Sequence, residues 1–130
     1  MSRKFPSMPE SVYKEVMQRG SDISSPMHGD TYDLHHALLS RGLVQGLPFD
    51  EKKKIHSKYN LLVVPHSMHA SHANIPTRQQ ALRLLLKHYR YTEILGWWNS
   101  IKWKSKPPFE FPKEEELADV SPDVSTVSKG

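Results

Sequence analysis

The segments TYDLHHAL at positions 31–38 and NLLVVPHSMHASH at positions 60–72 carry the strongest structural signals in the chain. The first combines alternation with β-forming side chains, which predicts a short strand over 31–35. In the second, an apolar run stops at Pro65 and predicts a buried strand, and residues 67–73 can form a helix directly after it. The order expected is therefore strand, long connection, strand, helix.

The flanking sequence predicts helices on both sides of this core. Residues 9–19 place apolar side chains on one face and end before Gly20, a residue typical of helix C-termini. Residues 76–103 have apolar residues at helical spacing, and Pro76 suits the first turn of a helix. Gly96 is expected to kink or divide that helical region.

The connection between the two strands is expected to be mostly loop. Gly42, Gly46 and Pro48 interrupt any long element. Asp50 is placed to cap a short helix over 51–56, because aspartate is a favoured residue at helix N-termini.

A chain of 130 residues is expected to form one domain with a modest core. We expect a flexible N-terminus over 1–8 and a domain over 9–104, with its motif core at 31–73 and C-terminal helices at 76–103. Prolines and a glutamate run predict a disordered acidic tail over 105–130. The predicted fold class is α+β, mostly helical overall.

The composition excludes several kinds of site. Cysteine is absent, so disulfides, thiolate zinc sites and a cysteine nucleophile are excluded, and any metal site must use nitrogen and oxygen ligands. The sequence has no apolar run of the roughly 20 residues that span a bilayer, and its start lacks the apolar region of a signal peptide. We therefore expect a soluble cytoplasmic protein without a membrane partner.

The charge of the chain favours a polyanionic partner. The formal net charge is +4, and the acidic run near the C-terminus leaves the rest more basic than this total suggests. DNA is a compatible partner, although a run of charges is usually a solvated face. The candidate phosphate contacts are Lys52, Lys53, Lys54 and Arg78.

The histidines suggest metal-assisted chemistry, because six of the eight fall between positions 35 and 72 and histidine serves both as metal ligand and as proton carrier. Alternation along a strand sends His35 and His36 to opposite sides, so one can bind metal while the other faces substrate. His69 and His72, three residues apart, would share one face of a helix and could join a single ion. The histidines expected to be ordinary surface or hydrogen-bonded residues are His28, His56 and His88.

Taken together, Asp33-Leu34-His35-His36, Asn60 before the apolar run, and His69 nine residues later resemble the motif of HNH endonucleases. That family has a ββα-metal fold with the same order of strand, loop, strand and helix. The resemblance implies a metal-dependent endonuclease that hydrolyses DNA phosphodiester bonds, and a compact stand-alone chain of this kind suggests a phage or mobile element. Many members carry two CxxC pairs around a structural zinc; this chain lacks them and must hold its fold by packing.

The resemblance also implies a role for individual residues. His36 is implied to be the general base that deprotonates water, and Asn60 is implied to orient it. Asp33 is a further possible ligand, and His66 either supports a ligand ring or faces solvent. The ion stays open among Mg²⁺, Mn²⁺, Ni²⁺ and Zn²⁺, because nitrogen and carboxylate ligands accept several divalent ions. The implied ligands are His35, His69 and His72.

Two other kinds of function fit the same sequence. One is a non-catalytic nucleic-acid-binding module that keeps the ββα frame, with the histidines holding a structural ion or nothing. The other is a subunit that docks a protein partner, or a second copy of itself, through the acidic tail or the C-terminal helices. Tryptophans at helical spacing usually complete a core rather than stack on bases. We expect that of Trp97, Trp98 and Trp103.

Overall fold

The computed structural model describes residues 4–72 and 74–119 and shows a small α+β protein built on a two-stranded antiparallel sheet. Among the described residues no helix is long and apolar enough to cross a membrane. Short 3₁₀ segments cover Lys53–His56, Lys58–Asn60 and Glu114–Asp119. The helices and strands are α1 (Glu10–Gln18), β1 (Tyr32–His36), α2 (Arg41–Val44), α3 (Phe49–Lys52), β2 (Leu61–Pro65), α4 (His66–Ser71), α5 (Arg78–Leu85) and α6 (Tyr91–Ser100).

Strand β2 is buried along its whole length, which explains its unbroken apolar sequence. Successive side chains of a strand point to opposite faces of the sheet. On one face, Leu61 and Val63 pack against Val16 of α1. On the other face, Leu62 and Val64 belong to the main core, to which α5 and α6 also contribute. The sequence-based prediction of a buried strand is confirmed.

Strand β1 pairs with β2 over its full length, from Tyr32 opposite Pro65 to His36 opposite Leu61. The strand expected over 31–35 is therefore confirmed with a shift of one residue. That shift places both neighbouring histidines inside the strand, with His36 as its last residue.

Helices α1 and α4 lie close to their expected positions. Helix α1 begins after Pro9, and Gly20 follows it with φ 89°, a conformation that glycine adopts without strain. Helix α4 starts at His66, one residue earlier than expected, and ends before His72, whose φ of 57° is left-handed. The last residue of the expected helix, Ala73, lies outside the described residues.

The connection between the strands contains more helix than expected. Helix α2 runs through Gly42, an expected break, and α3 begins directly after Pro48. Asp50 lies inside the first turn of α3 and does not cap a helix over 51–56, because the fixed φ of proline starts the helix earlier. The remainder of that expected helix is the 3₁₀ segment Lys53–His56.

The C-terminal helical region divides at residues 86–90, and not at Gly96, which lies inside α6. A glycine within a helix costs about 1 kcal/mol relative to alanine, and burial of the two tryptophans that follow it outweighs that cost. Helix α5 starts after Thr77 and not at Pro76. The Thr77 hydroxyl accepts from the Gln80 N–H, and the Gln80 side chain accepts from the Thr77 N–H.

The N-terminal segment packs on the main core, although residues 1–8 were expected to be flexible. Phe5 is partly buried there. The guanidinium of Arg41 lies 4.5 Å from the centre of the Phe5 ring, and the Lys52 ammonium lies 5.0 Å from it. Residues 1–3 lie outside the described residues.

The segment after α6 also packs on the core, so a disordered tail does not begin at residue 105. The rings of Phe109 and Phe111 lie 4.8 and 5.2 Å from the Trp98 ring, and Leu117 is buried. These apolar anchors outweigh the prolines and glutamates that favoured disorder. Residues 120–130 lie outside the described residues. As expected, Trp97 and Trp98 are buried in the core, and Trp103 packs against it.

A buried charged cluster joins α1, β2 and the segment after α5. The Asp22 carboxylate, whose side chain is 2% exposed, contacts Arg19 at 3.4 Å and His88 Nε2 at 2.6 Å. It also accepts a hydrogen bond of 2.8 Å from the Val63 N–H. Arg19 donates to the carbonyl of Leu61 at 2.7 Å. His88, expected to be an ordinary surface or hydrogen-bonded residue, is one of the partners of this carboxylate.

Candidate active site

The end of β1 and the start of β2 bring His36 and Asn60 together. His36 pairs with Leu61, the residue after Asn60, and the Ala37 N–H donates to the Asn60 carbonyl at 2.7 Å. Residues 24 positions apart in the sequence are thus neighbours because the intervening connection returns to the same end of the sheet.

The Asn60 side chain is fully buried and fastens the backbone that follows the histidine pair. Its Oδ1 accepts from the N–H groups of Leu38 and Leu39, both at 2.8 Å. Its Nδ2 donates to the carbonyls of Leu39 and Ile55, both at 2.9 Å. These bonds use both donors and both acceptor positions of the amide. Asn60 therefore acts on the neighbourhood of His36 through the main chain.

His36 has an environment that keeps its ring neutral. Burial lowers the pKa of His36 to about 4, and the nearby charges of His56, His35 and Arg41 act in the same direction. A neutral imidazole at pH 7 has one bare nitrogen that can accept a proton.

His56, which was expected to have no special role, is the neighbour of His36. Nε2 of His36 lies 3.2 Å from Nδ1 of His56, and the ring centres are 5.2 Å apart. Nε2 of His56 lies 2.8 Å from the Pro6 carbonyl oxygen. Periodicity could not reveal this pairing, because His56 reaches His36 through the fold of an irregular connection.

A second group of polar side chains surrounds Asp33. One oxygen of its carboxylate, Oδ2, lies 2.7 Å from Nδ1 of His66 and 3.1 Å from Nδ1 of His69. These hydrogen bonds, that of His66 first, lower the pKa of Asp33. With its Nδ1 directed at the carboxylate, each of the two rings keeps Nε2 available for another partner.

His35 and His69 face each other, so the two histidines of the pair have different neighbours. The rings of His35 and His69 meet edge to face with centres 5.5 Å apart. Burial lowers the pKa of His35 to about 4, helped by the charges of His69 and His72. His72 itself follows the end of α4 in a left-handed conformation, so it does not share a helical face with His69 as expected.

The donors near His35 suit a divalent ion in their chemistry. Neutral imidazoles are metal ligands, and a carboxylate that orients a ligating ring is a common supporting partner. His35 and His69 are such rings, and Asp33 is placed as that carboxylate. Within residues 4–72 and 74–119, no group of three or more His, Asp or Glu side chains converges on one point closely enough to share an ion.

The expected phosphate contacts differ in what they offer. Lys52 is buried and donates to the Lys4 carbonyl at 3.3 Å, so its charge serves the packing of the N-terminal segment. The Lys54 ammonium donates to the Glu51 carboxylate at 2.9 Å and to the Ser100 carbonyl at 2.7 Å. Lys53 is exposed with a long 3.8 Å contact to Asp50. The exposed Arg78 stacks on a phenylalanine ring. Because Lys52 is buried, it is no longer a candidate phosphate contact.

Arg41 is an additional cation near the candidate base. It is exposed at the start of α2, and its charge reaches His36 strongly enough to lower the histidine's pKa. Sequence periodicity does not indicate that Arg41, five residues after His36, lies near it. The turn between β1 and α2 brings the two residues together. Arg41 is therefore a candidate phosphate contact that the sequence pattern did not identify.

Comparison with protein-family models, with curated proteins and with solved structures found no match to this chain. What the chain does must therefore be inferred from its side chains and their placement.

Proposed function

We propose that this chain is a metal-dependent endonuclease of the HNH type that hydrolyses phosphodiester bonds in DNA, with its strand pair and α4 forming a ββα-metal core. The observation that carries the proposal is the position of His36. His36 is a neutral imidazole at the end of β1, and the backbone that follows it is held by hydrogen bonds to the Asn60 side chain. It is also close enough to His35 and His69, which lie beside Asp33, for their charges to lower its pKa.

His36 would act as the general base. It would take a proton from water as the water oxygen bonds to phosphorus, while the bond from phosphorus to the leaving oxygen breaks and that oxygen takes a proton from a second water molecule. His36 would then return its proton to solvent. The pKa of about 4 keeps the ring unprotonated at neutral pH. The negative charge of a bound phosphate would raise this pKa towards the working pH, where proton transfer is most effective.

The proposed ion would be held by His35 and His69. His72 is exposed, and its charge contributes to lowering the pKa of His35. His66 shares the Asp33 carboxylate with His69. Asp33 would orient the two rings that contact it and would not need to bind the ion itself. When bound, the ion would supply stabilisation of the charge that develops on the phosphate and the leaving oxygen.

The cations around this site would bind the DNA backbone. The charge of Arg41 is close enough to the proposed base to lower its pKa. Lys53 is exposed on the same connection between the strands. Such contacts make affinity dependent on salt and carry no base specificity. We therefore propose DNA as the partner through its phosphates.

Nicking of supercoiled plasmid by the purified chain tests this function. The protein is assayed with Mg²⁺, Mn²⁺, Ni²⁺ or Zn²⁺ and with EDTA, beside His36→Ala. His28→Ala is the matched control, because His28 is exposed in the loop before β1. We expect metal-dependent nicking that His36→Ala abolishes and His28→Ala retains, with both variants folded by circular dichroism.

Folded wild-type protein that binds DNA, yet nicks no plasmid with any of the four metals, would contradict the nuclease proposal. It would favour a nucleic-acid-binding module that retains the same frame. Fluorescence anisotropy with a labelled duplex at two salt concentrations provides the binding measurement.

A further inference from the structure

We infer that His56 is a positioning residue that fixes the single ring proton of His36 on Nε2, so that Nδ1 of His36 is the atom that accepts the proton from water. This inference rests on the proposed role of His36 as base, and it adds which nitrogen acts and which residue decides it.

The direction of the hydrogen bonds follows from the last partner in the chain. The Pro6 carbonyl oxygen can only accept, so Nε2 of His56, 2.8 Å away, must carry a proton. When His56 carries a single ring proton, that proton is therefore on Nε2, and Nδ1 of His56 is bare and can only accept. Nε2 of His36, 3.2 Å away, must therefore donate. A neutral ring has one proton, so Nδ1 of His36 is left bare.

The far end of this relay is held in place by the N-terminal segment. Lys52 donates to the Lys4 carbonyl at 3.3 Å. The Phe5 ring contacts two cations, with Arg41 at 4.5 Å and Lys52 at 5.0 Å from its centre. Pro6, the next residue, thus presents its carbonyl from a segment that is fastened to α2 and α3. The ring of His56 is fixed at both nitrogens, and through it the ring of His36.

Two substitutions at His56 separate the two hydrogen bonds. The side-chain oxygen of asparagine is attached at the same distance from the backbone as Nδ1 of histidine, so His56→Asn can still accept from His36. The amide of glutamine is one bond longer and resembles Nε2, so His56→Gln can still donate to Pro6 but loses the contact with His36. His56→Ala removes both, and His28→Asn is the exposed control.

The first readout is independent of cleavage. Nitrogen-15 NMR of the histidine rings is recorded in EDTA at pH 8, and the His36 signals are assigned by their loss in His36→Gln. We expect wild-type His36 to carry its proton on Nε2, visible because the hydrogen bond protects it from exchange with water. The signal should persist in His56→Asn and disappear through exchange in His56→Gln.

The second readout is the rate of plasmid nicking. We expect kcat to fall on the order of 10- to 100-fold in His56→Gln and His56→Ala, the size of effect that follows loss of a partner orienting a functional histidine. KM for DNA should stay within about twofold, because both ring nitrogens of His56 are directed at His36 and Pro6 and the inference gives it no contact with DNA. His56→Asn should retain most of the activity.

Two results would overturn the inference while leaving the nuclease proposal intact. One is a wild-type His36 with its proton on Nδ1, and the other is full activity in folded His56→Gln. If instead the wild-type protein cleaves no DNA, the nuclease proposal fails, and the NMR result alone decides whether His56 fixes the His36 ring.

Discussion

Replacing Asn60 with alanine should destabilise the fold strongly, because one side chain satisfies four backbone groups. The groups are the N–H of Leu38, the N–H and carbonyl of Leu39, and the carbonyl of Ile55, all next to a fully buried amide. A buried group left without a partner costs about 1–3 kcal/mol. Entry of water and relaxation of the connection would recover part of that cost. We expect the free energy of unfolding to fall by about 3–5 kcal/mol, out of a typical total of about 5–15 kcal/mol.

Urea denaturation followed by tryptophan fluorescence measures this change, since Trp97 and Trp98 are buried in the main core. Asn99→Ala, an exposed position on α6, is the matched control and should change stability by less than about 0.5 kcal/mol. Asn60→Asp keeps the accepting oxygen but turns a carboxylate towards two carbonyls, so it should be as harmful as alanine. A loss below about 1 kcal/mol in Asn60→Ala, with an unchanged urea dependence, would refute the idea that this amide fastens the connection.

Three further predictions concern the charged groups. Asp33→Asn should weaken binding of Zn²⁺ or Ni²⁺ about 10- to 100-fold by calorimetry, because an uncharged amide oxygen holds the His66 and His69 rings less strongly than the carboxylate does; unchanged affinity would exclude an orienting role. The second prediction concerns the part of the free energy of unfolding that depends on a neutral His36. In EDTA, this contribution should be fully present above pH 6.5. It should be lost as the pH falls towards 4, because the unfolded chain protonates His36 at a higher pH than the folded chain does. His36→Asn should reduce this dependence by up to about 3 kcal/mol across that range, and equal pH slopes for both proteins would contradict it. Asp22→Asn should cost about 3–5 kcal/mol in urea denaturation, since it leaves the Arg19 side chain, which is only 10% exposed, without its anion; a loss near zero would show that the cluster is dispensable.

Local patterns were enough to predict the strand pair and the first helix. The apolar run before Pro65 could only be buried, and α1 ended at Gly20 as its sequence indicated. Gly96 misled because packing of the tryptophans beside it outweighs its weak helix propensity. The prediction of a disordered tail from residue 105 was wrong, because the overall composition of the segment does not show that single apolar residues pack on the core. Phe109 and Leu117 are two such residues.

From the sequence, only the motif residues of the candidate site could be identified. His36, Asn60 and His69 stand at informative positions around the strands. His56 and Arg41 do not, because an irregular connection decides where they come to lie, and no periodic pattern describes its path. The resemblance implied that Asn60 orients His36, but the hydrogen bonds of Asn60 to four backbone groups could not be predicted from the sequence.

The hydrogen bond from His56 to the Pro6 carbonyl makes the geometry of His36 depend on a segment at the edge of the fold. Segments with few fully buried side chains open with a smaller free energy than the core does, and residues 4–6 are exposed or only partly buried. Detachment of residues 4–6 would release the His56 ring while the sheet and its helices stay folded. Loss of the proposed nicking activity should therefore begin at a lower temperature than the unfolding transition, and the first heat-sensitive step would lie outside the motif residues.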